Sequence, residues 1–161
     1  MKSFTKINYG LLSAMIMFIA ISCKKSDTPQ PTTQELIQGK SWKLSALTIN
    51  PALNGTTDYL NGIMQPCERD NVYTFGYSLL WQGFYLDEST TLCDPAYPIY
   101  YGTWTFNDTT KVISFSYGSS TTGLYQYSMT VEGVSENGFT GKTTETISGN
   151  IYAKIWTFTR N

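Results

Sequence analysis

KVISFSY, GSSTTG and LYQYSMTV, which run together from Lys111 to Val131, decide the fold. In the last of them Tyr125, Tyr127, Met129 and Val131 alternate with Gln126, Ser128 and Thr130. A period of two places the four larger side chains on one face of an extended chain, as in a strand with one side buried. GSSTTG, Gly118 to Gly123, is built from turn residues. KVISFSY, Lys111 to Tyr117, is rich in β-branched and aromatic residues, so the three pieces predict strand, turn, strand.

The same grammar extends in both directions. Downstream, SENG (Ser135 to Gly138) turns into FTGKTTETI, and SGN (Ser148 to Asn150) turns into IYAKIWTFTR, Ile151 to Arg160. Upstream, Asn107 to Thr110 forms the turn that follows IYYGTWTF, Ile99 to Phe106. Before it come GFYLDE (Gly83 to Glu88) and NVYTFGY (Asn71 to Tyr77). The first strand is KSWKLSALTI, Lys40 to Ile49, with Trp42, Leu44 and Ala46 on one face, and a long loop follows from Asn50 to Pro66. Gln34 to Gln38 allows one helical turn that stops at Gly39. About eight strands on short connections predict an all-β, up-and-down antiparallel barrel, in which closure hides the sheet edges.

The first residues belong to a different regime. Lys2 and Lys6 precede an apolar run, Gly10 to Ser22, interrupted only by serines. As a helix that run reaches about 20 Å, short of the ~30 Å of bilayer hydrocarbon. A charged start and a short apolar middle read as a signal peptide over residues 1–22. Ala20 to Cys23 resembles the lipobox of bacterial lipoproteins, which implies that Cys23 is acylated, begins the mature chain and inserts into a lipid bilayer. Residues 23–34 are polar and proline-bearing and read as a lipidated flexible tether, which leaves 35–161 for the barrel.

Composition narrows the chemistry. The formal charge is −1, and the leader's two lysines account for part of the positive side, leaving the remainder at −3. No basic run exists, so nucleic-acid binding is not expected. The chain contains no histidine, which removes the commonest general base, metal ligand and partner for a nucleophile. No catalytic set, metal site or cofactor site is recognisable, and the expectation is a non-enzymatic monomer. Beyond Cys23 only Cys67 and Cys93 remain, and in an exported protein one bridge is the default, with a metal-binding or redox pair as the alternative.

Gly39-Lys40-Ser41-Trp42-Lys43-Leu44, the segment Cys67 to Phe75 and Gly102-Thr103-Trp104-Thr105-Phe106 occur in that order. Together they resemble the lipocalin-like domain of Bacteroidetes lipoproteins across Glu35 to Asn161. The resemblance implies an eight-stranded barrel at the cell envelope, without enzymatic activity, and the anchor is expected in the outer membrane, on its periplasmic or its surface face.

Within such a barrel the candidate pocket residues are Trp42, Trp104, Tyr125, Tyr127 and Met129. The two tryptophans either plug one end as core or touch ligand, and the tyrosine face either satisfies its own hydroxyls or holds a small apolar or amphipathic molecule. The rival reading is a filled barrel that meets a protein or glycan through outer aromatics among Tyr97, Tyr100 and Tyr101. Asp87, Glu88 and Asp94 form an acidic group that lacks the glycine-bearing pattern of a calcium loop. Glu68, Arg69 and Asp70 read as a salt-bridged rim beside Cys67. Asp108-Thr109-Thr110 resembles an O-glycosylation acceptor of the same bacterial group, with Thr109 modified, and the alternative is an ordinary turn. Asn54 and Asn107 match the N-x-Thr sequon, which a bacterial origin disfavours.

Overall fold

The computed structural model describes residues 29–76, 83–88, 90–93, 99–119 and 123–161. The leader, Cys23, the first half of the tether, Asp94 and Tyr97 therefore lie outside the described residues. Pro31–Asn161 is a compact unit, and every sheet pairing and core residue among the described residues falls inside it. The contacts that hold the barrel together among the described residues are thus made within that unit. No helix among the described residues is long and apolar enough to cross a membrane.

The unit opens with a short helix, α1 (Thr33–Ile37), held by a capping box. Thr32 Oγ1 accepts from the Glu35 N–H, and the Glu35 carboxylate accepts from the Thr32 N–H at 2.7 Å. Gly39 at φ +69° then turns the chain into β1 (Lys40–Leu53). The remaining strands are β2 (Thr56–Asp58), β3 (Val72–Phe75), β4 (Gly83–Asp87), β5 (Ile99–Asn107), β6 (Val112–Ser119), β7 (Gly123–Val134), β8 (Gly138–Ile147) and β9 (Asn150–Arg160). All pairings are antiparallel, each of β3 to β9 lies beside its neighbour in sequence, and β1 pairs with both β3 and β9. Eight strands therefore close an up-and-down barrel, as the sequence predicts, and β2 is a flap folded back on β1.

The region after Ile49 departs from expectation. Instead of a loop from Asn50 to Pro66, β1 continues to Leu53 and turns back through Asn54-Gly55, both at positive φ (51° and 81°). That geometry suits the right-handed twist of a two-residue hairpin, and Asn-Gly is the pair that adopts it with least strain. Asp58 then caps a second short helix, α2 (Tyr59–Gly62), accepting from Asn61 N–H, and a 3₁₀ turn follows over Pro66–Glu68.

A second departure concerns the face of β1. Leu44 pairs with Phe158 and Ala46 with Thr157, so Ser45 is an extra, bulged residue whose hydroxyl donates to the Thr157 carbonyl. A bulge shifts the alternation by one. The buried set is consequently Trp42, Leu44, Leu47 and Ile49, and Ala46 is only half-buried.

The lower barrel is solid. Trp42 is fully buried, donates Nε1–H to the Ile37 carbonyl at 3.0 Å and meets Phe139 edge-on, so α1 and Trp42 close this end. Trp104 donates to the Gly76 carbonyl at 2.7 Å and lies against Phe75. Phe84, Phe115 and Tyr127 stack in sequence above them, at 4.8 and 5.3 Å between centroids. The chain thus enters at the plugged end, and the opposite end carries α2, the 3₁₀ turn, the end of β6, the start of β7 and the hairpin that joins β8 to β9.

Candidate functional site

The open end holds a cleft of about 510 Å³. Its position follows from the pairing of β7 with β8, which runs from Val134↔Phe139 only as far as Thr130↔Lys142. A bulge between Val131 and Gly133 interrupts that ladder, and bulges add twist and bend the strand that carries them. Beyond it Gln126, Tyr127 and Ser128 on β7 and Thr143, Thr144 and Glu145 on β8 line opposite walls of the cleft. Leu47 and Trp156 form its floor side, and Tyr59, Ile63 and Met64 cover it from α2 onward. The walls therefore combine apolar surface with polar groups, the usual make-up of a small-molecule site.

Charge inside the cleft comes from Lys154, Glu145 and Glu68. Lys154 occupies an inward position on β9 between Tyr152 and Trp156 and is only 6% exposed. Its ammonium is paired with the Glu145 carboxylate, and it also lies 3.9 Å from the centroid of the Tyr59 ring. A buried ammonium needs such partners, since an isolated one would lose its proton or destabilise the fold. Trp156 donates Nε1–H to Thr143 Oγ1 at 3.2 Å.

Beside the cleft lies a small chamber of about 40 Å³, and Met64, Glu68, Tyr127 and Trp156 line both. Tyr73, Phe115 and Tyr117 complete its aromatic wall, together with the amide of Asn71. Asn71 is 5% exposed, and its Oδ1 has no hydrogen-bond partner among the described residues. Glu68 Oε2 accepts from the Gln65 N–H at 2.9 Å.

Burial, before any other cause, pushes the phenols of Tyr73, Tyr117 and Tyr127 above the ordinary tyrosine range, and the nearby Glu68 carboxylate pushes in the same direction. Tyr117 and Tyr127 also share a hydrogen bond. For an acid raised in the folded state, the stabilisation is complete below the unfolded value of about 10 and is lost as pH rises beyond it. Alkaline titration should therefore show exposed tyrosines ionising first. Tyr73, Tyr117 and Tyr127 should then ionise together with loss of β-sheet circular dichroism. Phenolate absorbance that reaches its full amplitude while the sheet signal is intact would contradict this.

The residues singled out from sequence are distributed unevenly around this site. Tyr127 lines it. Trp42, Trp104 and Met129 are core residues of the filled barrel and do not line the cleft. Tyr125 is 46% exposed at the rim and stacks on Tyr117 at 5.4 Å. Tyr100 is buried on the inner face of β5, so only Tyr101, at 59%, offers an exposed outer ring of that pair.

Glu68, Arg69 and Asp70 do not form a salt-bridged rim among the described residues. Arg69 instead donates to the Met64 carbonyl through Nε and Nη2 (3.1 and 2.8 Å), and Asp70 accepts from the Thr90 and Thr91 N–H groups. No group of acidic and cysteine side chains suited to a metal occurs among the described residues, and Glu88 accepts from the Cys93 N–H. Cys67 and Cys93 are joined, tying the 3₁₀ turn beside Glu68 to the segment after β4. Thr109 and Asn54 are exposed in turns, and Asn107 Oδ1 is engaged by the Thr109 and Thr110 N–H groups.

Lys154 escapes a reading of the sequence for motifs, although IYAKIWTF carries a signal. In the apolar set Tyr152, Trp156 and Phe158 the even position between the first two is a lysine. A charge in register with core positions marks an inward cation. No protein-family model matches the chain, and no curated protein matches it either.

Proposed function

We propose that the chain is a lipoprotein of the cell envelope, anchored through acylated Cys23, whose barrel binds a small apolar or amphipathic molecule without catalysing a reaction. One observation carries the binding part: the cleft of about 510 Å³ between the diverging ends of β7 and β8, in a barrel otherwise filled with aromatic rings. Its lining combines Leu47, Ile63, Met64 and Trp156 with Thr143, Glu145 and Lys154, which suits a molecule with both apolar and polar parts. The resemblance to lipocalin-like lipoproteins supports the same reading, as does the absence of histidine from the sequence.

Native mass spectrometry of the Pro31–Asn161 unit, after incubation with a lipid extract of its own host, should reveal a small non-covalent adduct that leaves on activation. A bare protein would overturn the binding reading. It would favour a filled module acting through its outer face, where Tyr101 is exposed with Ile99 beside Tyr85 across β4 and β5.

The anchor is tested separately. One acyl chain gives only marginal membrane affinity, so more than one is needed for stable attachment. The unsubstituted chain should sediment with membranes, and Cys23→Ala should move to the soluble fraction. Retention of Cys23→Ala on the membrane would overturn the lipid anchor.

A further inference from the structure

We infer that the small chamber beside the cleft selects an organic ammonium group, so that the ligand is an amphipathic amine rather than a fatty acid or alcohol. The inference rests on the binding reading above and narrows its ligand class. Five rings surround the chamber: Tyr73, Phe115, Tyr117, Tyr127 and Trp156. Aromatic faces carry negative potential and attract a cation, most strongly where water is excluded.

Two further groups point the same way. Asn71 Oδ1 is a buried acceptor without a donor among the described residues, and a buried acceptor left unmatched is costly. An ammonium N–H supplies the missing donor. Glu68 lines the chamber and forms no ion pair among the described residues, whereas the cleft's ammonium, Lys154, is already neutralised by Glu145. The unbalanced charge in the cleft is thus one carboxylate, set beside aromatic rings. A carboxylate ligand would meet repulsion from Glu68, and an alcohol would leave its charge unanswered. At about 40 Å³ the chamber admits a small head, and the larger cleft with Leu47, Ile63 and Met64 takes the alkyl tail.

The test uses n-octylammonium, n-octanol and n-octanoate as probes of the Pro31–Asn161 unit at neutral pH, followed by calorimetry and by tryptophan fluorescence. Octylammonium should bind about tenfold tighter than octanol, with octanoate weakest. Glu68→Gln keeps an oxygen that can accept the Gln65 N–H, so the 3₁₀ turn is retained. It should lower octylammonium affinity about tenfold and leave octanol unchanged.

Equal or tighter binding of octanol by the unsubstituted domain would overturn the ammonium preference while leaving an amphiphile site in place. Binding of none of the three would overturn both. Because the three probes are compared on the unsubstituted domain, the result does not depend on the folding of the variant.

Discussion

Phe75→Ala is expected to cost about 4 kcal/mol of folding stability, read as a fall in the urea midpoint with an unchanged slope. Phe75 is fully buried at the end of β3, and its ring lies within 5.3 to 6.2 Å of the rings of Phe84, Trp104, Phe115 and Phe139. Truncation removes the transfer free energy of the ring and leaves a void that neighbours held by sheet pairing cannot fill. Each aromatic edge contact adds to that loss. Against a typical total of about 5–15 kcal/mol, the change is a large fraction of the domain's stability. Phe75→Leu keeps most of the volume and should cost about 1.5 kcal/mol or less. If alanine proved as mild as leucine, the lower barrel would not be the close-packed plug described here.

Loss of the Cys67–Cys93 bridge is expected to have the next largest effect. The bridged cysteines are 26 residues apart in sequence, and closing a loop of that size removes about 3.5 kcal/mol of unfolded-chain entropy. For a domain of this length the paired Cys67→Ser, Cys93→Ser variant should melt about 10–15 °C lower. The effect should also reach the cleft, because the bridge holds the 3₁₀ turn that carries Glu68. Octylammonium affinity should therefore fall further than octanol affinity in the reduced protein. A melting temperature unmoved by reduction would mean that hydrogen bonds such as Thr90 and Thr91 N–H to Asp70 already constrain this segment.

The architecture was largely legible because it depends on local rules. Of the alternating Tyr125, Tyr127, Met129 and Val131 the last three face inward as expected, whereas Tyr125 is exposed, and Ser148-Gly149 takes the positive φ values (50° and 82°) of a tight hairpin between β8 and β9. Strand number and antiparallel order follow from short runs joined by short turns, since such turns leave each strand nowhere to pair except with its neighbour. The bridge was legible as well, as the default reading of the two cysteines that follow Cys23.

The site was legible only in fragments. Glu68 and Tyr127 were singled out for their residue type, but nothing local brings the 3₁₀ turn over the end of β7. The face of β1 was misjudged beyond Leu44 because the bulge at Ser45 is set by pairing with Thr157, a contact distant in the chain. The hairpin at Asn54-Gly55 falls inside a stretch that reads as loop, although Asn-Gly itself is a strong turn signal.

By itself the sequence determined the β class, the order of the barrel strands and most of the turns between them, and it made a disulfide the default, because period, turn chemistry and cysteine number act over a few residues or through simple counting. The tertiary structure alone decided that the barrel is filled below and open between β7 and β8. It also decided that Lys154 is satisfied by Glu145, whereas Glu68 and Asn71 face an aromatic chamber. Those outcomes depend on where bulges end a ladder and on which side chains meet across the barrel, and no local pattern encodes either.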